Sequence, residues 1–191
     1  ASYPGPNLNL SGPAVERLSP EAAASLAKVE AVLQIPLRHL DSKPLAERFA
    51  RQSSWTLYRL ETVSGEAAPA LTQYRPFFDL RALKVLDSPE MARRFVEGVT
   101  TGSSITLPAL STLSPEAAEV LRAGSKSMYL GLTVLDSPDV ARALSKSQQG
   151  VQLPRLRAAT PGVLAVVKEA KSIKTPPLES VYVLSESNGR P

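Results

Sequence analysis

The stretch "ITLPALSTLSPEAAEVLRAG", Ile105 to Gly124, decides the fold. It opens on an apolar-x-apolar triplet, whose two apolar side chains fall on one face of an extended strand. Leu107, Leu110 and Leu113 then follow at spacing three. Ser114-Pro115-Glu116 reads as a helix start. The Ser accepts from orphan helix N–H groups, and Pro at the first helical position has no N–H to leave unbonded. The acid complements the positive end of the helix dipole.

Working outward, the same order recurs along the chain. The apolar-x-apolar pairs are Leu8/Leu10, Leu33/Ile35, Trp55/Leu57, Phe78/Leu80, Ile105/Leu107, Met128/Leu130, Val151/Leu153 and Ile173/Thr175. Their second members lie 25, 22, 23, 27, 23, 23 and 22 residues apart. A unit of this length is too short for two helices and suits one strand plus one short helix. Ser19, Ser88 and Ser137 repeat the helix start of Ser114, and Ser42, Ser64 and Thr160 carry degenerate versions. Most of the 17 prolines are therefore punctuation between elements. The longest step contains "EGVTTGSS", Glu97 to Ser104, which reads as an enlarged loop. Val181 to Leu184 offers one more short strand.

Two kinds of helix phrase alternate. "LSPEAAASL", "VSGEAAPAL", "LSPEAAEVL" and "ATPGVLAVV" space their outer apolar anchors by eight residues. "LDSKPLAERF", "LDSPEMARRF" and "LDSPDVARAL" space them by nine. The true period is then a pair of units of about 46 residues, as duplication of a two-unit block would leave. Sequence alone supplies no physical reason for the alternation.

With this unit in hand, the chain resembles the leucine-rich repeat class, and most of all a bacterial variety built on units such as the one quoted. The resemblance runs from about Leu8 to Val181. It implies an α/β solenoid forming a single domain over residues 1–191. About eight short strands would make one parallel sheet, with short helices on its other face. It implies little about activity, since members of the class are mostly binding scaffolds. One departure matters. Where the class carries an Asn or Cys ladder after the strand, this chain has Leu60, Leu83, Leu110, Leu156 and Leu178, so curvature does not carry over.

Composition narrows the function. The 191 residues hold no cysteine, which excludes disulfides and thiolate metal sites. Aromatics are 5%, so Leu, Val and Ala must build the core. A formal charge of +4 is spread along the chain and reads as a solvated surface. No apolar run reaches the roughly 18 residues of a membrane helix. The opening Ala1 suits the mature end left by signal cleavage and equally a trimmed boundary; the former favours an exported chain. No cofactor motif appears, and nothing resembles a calcium loop, a P-loop, GxSxG or HExxH.

The candidate binding surface is the exposed strand face. Tyr58, Phe77, Asp79 and Arg81 are expected on adjacent strands, with Tyr129 two strands further along. Tyr and Arg are enriched where binding energy concentrates. Ordinary cross-strand packing on an exposed sheet is the competing explanation. His39, the one histidine, has no second His or Cys to work with and is expected in a solvated turn. Asp41, Asp87 and Asp136 recur in "LDS" as turn or capping residues, and Trp55 is assigned to the core. Lys168, Lys171 and Lys174, with Arg155 and Arg157, could face a polyanion. Without interleaved aromatics they read as a solvated face, and nucleic acid is not expected. The expected function is a non-catalytic scaffold for a protein partner. The alternative is a self-assembling subunit of an extracellular or envelope fibre or layer, stacked through its ends.

Overall fold

The computed structural model describes residues 7–9, 15–52, 57–72, 80–98, 104–124 and 126–185. Within them the helices start where the caps lie. They are α1 (Pro20–Ala27), α2 (Lys43–Ala50), α3 (Ala67–Leu71), α4 (Pro89–Gly98), α5 (Pro115–Ala123), α6 (Pro138–Ser145) and α7 (Pro161–Glu169). All seven expected hydroxyls accept from a backbone N–H three residues on, at 3.1 Å for Ser114 and Ala117 and 3.5 Å for Thr160 and Val163. Such a cap is worth about 1 kcal/mol. The loop expected at Glu97 is partly helical, because α4 runs on through Gly98.

The strands are β1 (Asn7–Asn9), β2 (Val32–Gln34), β3 (His39–Leu40), β4 (Thr62–Val63), β5 (Val85–Leu86), β6 (Ile105–Leu107), β7 (Thr112–Leu113), β8 (Met128–Leu130), β9 (Val134–Leu135), β10 (Val151–Gln152), β11 (Ala158–Ala159), β12 (Ile173–Lys174) and β13 (Tyr182–Val183). The chain is thus α/β, with short parallel strands in small sheets. One series follows the apolar-x-apolar triplets. It forms β1–β2 and the four-stranded β6–β8–β10–β12. Two of the expected strand phrases, including Trp55 and Phe78, lie outside the described residues. The described strands divide among five sheets rather than one of eight.

A second series was not expected from the sequence, apart from its last strand, β13, which falls within Val181 to Leu184. It forms β3–β4, β5–β7 and β9–β11–β13, on the far side of the turn that follows each triplet. Two residues are too few to show an alternating pattern, so its inward members (Leu40, Val63, Leu86, Leu113, Leu135, Ala159) read only as apolar anchors at spacing three.

This second series gives the two phrase types their physical reason. In each LDS unit, one carbonyl accepts two N–H groups of the following short-phrase unit. Arg38 accepts from Glu61 and Thr62, Lys84 from Ser111 and Thr112, and Thr133 from Arg157 and Ala158, all within 2.8–3.1 Å. The next cap N–H is also bonded, Ser64 to the Leu40 carbonyl and Ser114 to that of Leu86. The inserted Asp offers one more carbonyl. Asp41, Asp87 and Asp136 accept from the hydroxyls of Ser64, Ser114 and Thr160 at 3.1, 3.2 and 3.2 Å. The cap hydroxyl therefore accepts from its own helix and donates to the preceding unit. Cap backbones differ to match, with ψ of 115° and 114° at Ser42 and Ser137 against 154° and 158° at Ser114 and Thr160.

Leu and Ala fill the interior between strands and helices, as the low aromatic content requires. Leu33, Leu60, Leu83, Leu110 and Leu156 are buried, and so are Ala46, Ala67, Ala92, Ala118 and Ala141 along the helices. Phe49, Leu71, Phe95, Leu121, Leu144 and Val167 are buried, while Leu26 is half-buried. Each helix packs on the next in sequence.

Candidate functional site

Alternation along β6, β8, β10 and β12 places one residue per strand outward. Register aligns Thr106, Tyr129, Gln152 and Lys174 across the four. Their neighbours Ile105, Leu107, Met128, Leu130, Val151 and Ile173 are buried. Thr106, Gln152 and Lys174 are exposed and Tyr129 is half-buried. The result is a polar column with one aromatic step, anchored from beneath by a packed apolar row.

Tyr58 and Arg81 lie elsewhere than expected. Each is the first residue of the turn that leaves its triplet, not a strand residue. Leu60 N–H donates to the Leu57 carbonyl at 2.9 Å, and Leu83 N–H to that of Leu80 at 3.0 Å. Burying the Leu on either side of these turns forces the residues between them outward. Tyr58 is 55% exposed, with the Arg59 guanidinium 5.7 Å from its ring centroid. That is cation–π range. Tyr58 and Arg81 thus occupy equivalent corners of neighbouring units, while Tyr129 sits on the strand column. Phe77 and Asp79 lie outside the described residues.

A third feature escaped the sequence reading. Glu16, Arg38, Glu61 and Lys84 occupy one position in four successive units and alternate in charge. Arg38 lies 3.6 Å from Glu16 and 3.8 Å from Glu61, and Lys84 lies 2.7 Å from Glu61. The Lys84 hydrogen bond, helped by the charges of Lys84, Arg38 and His39, holds the Glu61 carboxyl below its ordinary pKa against the opposing effect of burial. These residues stand 22 or 23 apart in the chain, so reading charge at the repeat period would have found them.

Comparison of the chain with family models, with curated proteins and with solved structures returns no match.

His39 is not in a solvated turn. It lies on β3, half-buried, and its Nδ1 is 2.7 Å from Thr62 Oγ1 on β4. It joins Leu18, Ala23, Leu37 and Leu45 in lining a pocket of about 410 Å³ between the starts of α1 and α2. Several acids have structural partners. Asp41 meets Arg17 at 2.8 Å, and Glu119 and Asp139 pair with Arg122 and Arg142 one helical turn on. Backbone N–H groups and the cap hydroxyls hold Glu21 and Glu90 below the ordinary carboxylate pKa. Lys168, Lys171, Lys174, Arg155 and Arg157 are all exposed. The Arg155 guanidinium donates to the Pro108 carbonyl at 3.2 Å, two units away. Among the described residues no helix is long and apolar enough to cross a membrane.

Proposed function

We propose that the chain is a leucine-rich-repeat-like solenoid of one domain that serves as a non-catalytic scaffold for a protein partner. The observation that supports this is the aligned column Thr106–Tyr129–Gln152–Lys174, outward on four consecutive strands over a buried apolar row. Short parallel strands joined through helices that pack on their neighbours fit stacked repeats, in which each unit is buried by the next. A sheet of this kind presents its column on a backbone that is already ordered before docking. The Tyr58 and Arg81 corners extend that surface with residue types that concentrate binding energy. Carboxylates engaged in caps, ion pairs and charge alternation are explained without catalysis.

The test is quantitative capture by the immobilised chain. Tyr58→Ala with Arg81→Ala should abolish capture of the wild-type partner while circular dichroism stays unchanged. Equal capture by the folded double variant would remove the corner patch from the proposal. A second reading, a self-assembling structural subunit of a fibre or layer, draws on β13, where Tyr182 and Val183 stand 72% and 52% exposed.

A further inference from the structure

We propose that β13 docks the extended segment Val15–Ser19 of a second copy, continuing the second strand series head to tail in one defined register. The proposal deepens the self-assembly reading and rests on the reading of the chain as stacked repeats.

The residues around β13 repeat an LDS unit. Ladder pairing sets Tyr182 beside Ala158 and Val183 beside Ala159. Val181, Tyr182, Val183, Leu184 and Ser185 therefore correspond to Arg38, His39, Leu40, Asp41 and Ser42. The counterparts of Val183 in the other LDS units are buried to 0%, 1% and 4% exposure at Leu40, Leu86 and Leu135. Val183 is 52% exposed, so among the described residues an inward position stands uncovered. The Tyr182 and Leu184 N–H groups bond to the carbonyls of Arg157 and Ala159. Strand geometry then turns the Val181 and Val183 carbonyls to the opposite edge. They match the carbonyls that Arg38 and Leu40 use to receive the next unit.

The short-phrase unit beginning at Val15 carries the complementary edge. Its carbonyls at Val15 and Glu16 accept from Arg38 and His39. Among the described residues, no hydrogen bond uses the N–H groups of Glu16, Arg17 or Ser19. These are the counterparts of the Glu61, Thr62 and Ser64 donors. An LDS edge followed by a short-phrase edge is the junction made three times inside the chain, at β3–β4, β5–β7 and β9–β11. A second copy would repeat it. The Glu16 and Arg17 N–H groups would reach the Val181 carbonyl, the Ser19 N–H that of Val183, and the Ser19 hydroxyl that of Leu184. Arg17 would face Tyr182 as Thr62 faces His39. Such a contact joins two different surfaces, so it propagates from copy to copy, as a filament or, where the rotation closes, as a ring.

The test uses the absence of cysteine. Facing residues on neighbouring strands lie about 4.8 Å apart, within disulfide reach. Arg17→Cys and Tyr182→Cys versions of the 191-residue chain are mixed under mild oxidation and resolved by non-reducing electrophoresis. The mixture should give a linked dimer, each variant alone none, and the double variant a ladder of multiples. His39→Cys with Thr62→Cys serves as control and should close within one molecule. If the control closes and the mixture yields no dimer, the head-to-tail contact is overturned while the repeat register stands. If the control also fails, the stacked-repeat reading falls with it. A dimer from Tyr182→Cys alone would replace the proposal with a closed tail-to-tail pair.

Discussion

The side-chain amide of Gln52 brackets the backbone of Leu33. Its Oε1 accepts from the Leu33 N–H at 2.5 Å, and its Nε2 donates to the Leu33 carbonyl at 3.3 Å. Both residues are buried. An amide offers the same acceptor and donor that a neighbouring strand would offer, so Gln52 serves β2 as one more ladder rung. Replacing it by an apolar residue of similar size leaves two buried backbone groups without these partners. Gln52→Leu should cost about 2–4 kcal/mol. It should also raise the exchange rate of the Leu33 amide far more than those of α5 or α6. A denaturation midpoint unchanged from wild type would show that water or the backbone had replaced the amide.

Gly131 is set by contact rather than by its own conformation. Its N–H donates to the Leu107 carbonyl at 2.9 Å, drawing the turn after β8 onto the turn after β6. A Cβ at this position would lie 2.0 Å from the Pro108 carbonyl oxygen and 2.5 Å from its carbon. Both are backbone atoms and cannot rotate away. Gly131→Ala should therefore destabilise the chain by about 3 kcal/mol, well above an ordinary surface change. It should also release the Arg155 side chain from the same Pro108 carbonyl. Gly65→Ala is the comparison, since nothing lies within 4 Å of a Cβ there. Equal stability of the two variants would mean that the two turns do not approach each other as closely as the geometry states.

The two elements most legible in the sequence were those with several residues of signal. Four helix starts carry a hydroxyl, a proline and an acid in fixed order, three carry degenerate versions, and each expected cap accepts its hydrogen bond. Triplets such as Ile105–Leu107 carry two apolar anchors around a polar residue and form strands. The second strand series has two residues per unit, both of them apolar in β5, β9 and β11, and left only an apolar anchor at spacing three. Tyr58 and Arg81 were assigned to strands because they stand one residue past an apolar anchor; the turn that buries Leu57 and Leu60 moves them to a corner. The reason for the Asp in "LDS" lies in a carbonyl, which every residue has. Only the arrangement of Ser114 against Asp87 reveals what the extra residue does.

Glu61 should tie stability to pH in one direction. Its carboxylate touches Lys84 at 2.7 Å and Arg38 at 3.8 Å, and its side chain is 19% exposed. The Lys84 hydrogen bond chiefly holds its pKa below the ordinary value. The folded chain then takes up this proton at lower pH than the unfolded chain does. The stabilisation is complete above the unfolded carboxylate pKa of about 4.3 and is lost as pH falls through it towards the folded value. Both cations are substantially exposed, at 51% and 43%, so screening keeps the effect in the range of surface pairs. Glu61→Gln should cost roughly 0.5–1 kcal/mol at pH 7. That difference should shrink towards zero near pH 3, and it should also shrink at about 1 M salt, where the screening length is near 3 Å. Lys84→Met should remove most of the pH dependence that Glu61 contributes. Urea denaturation of wild type and Glu61→Gln at pH 7 and pH 3 decides the matter. An equal gap at both values would mean that Glu61 contributes through packing or hydrogen bonding that survives protonation, and not through its charge.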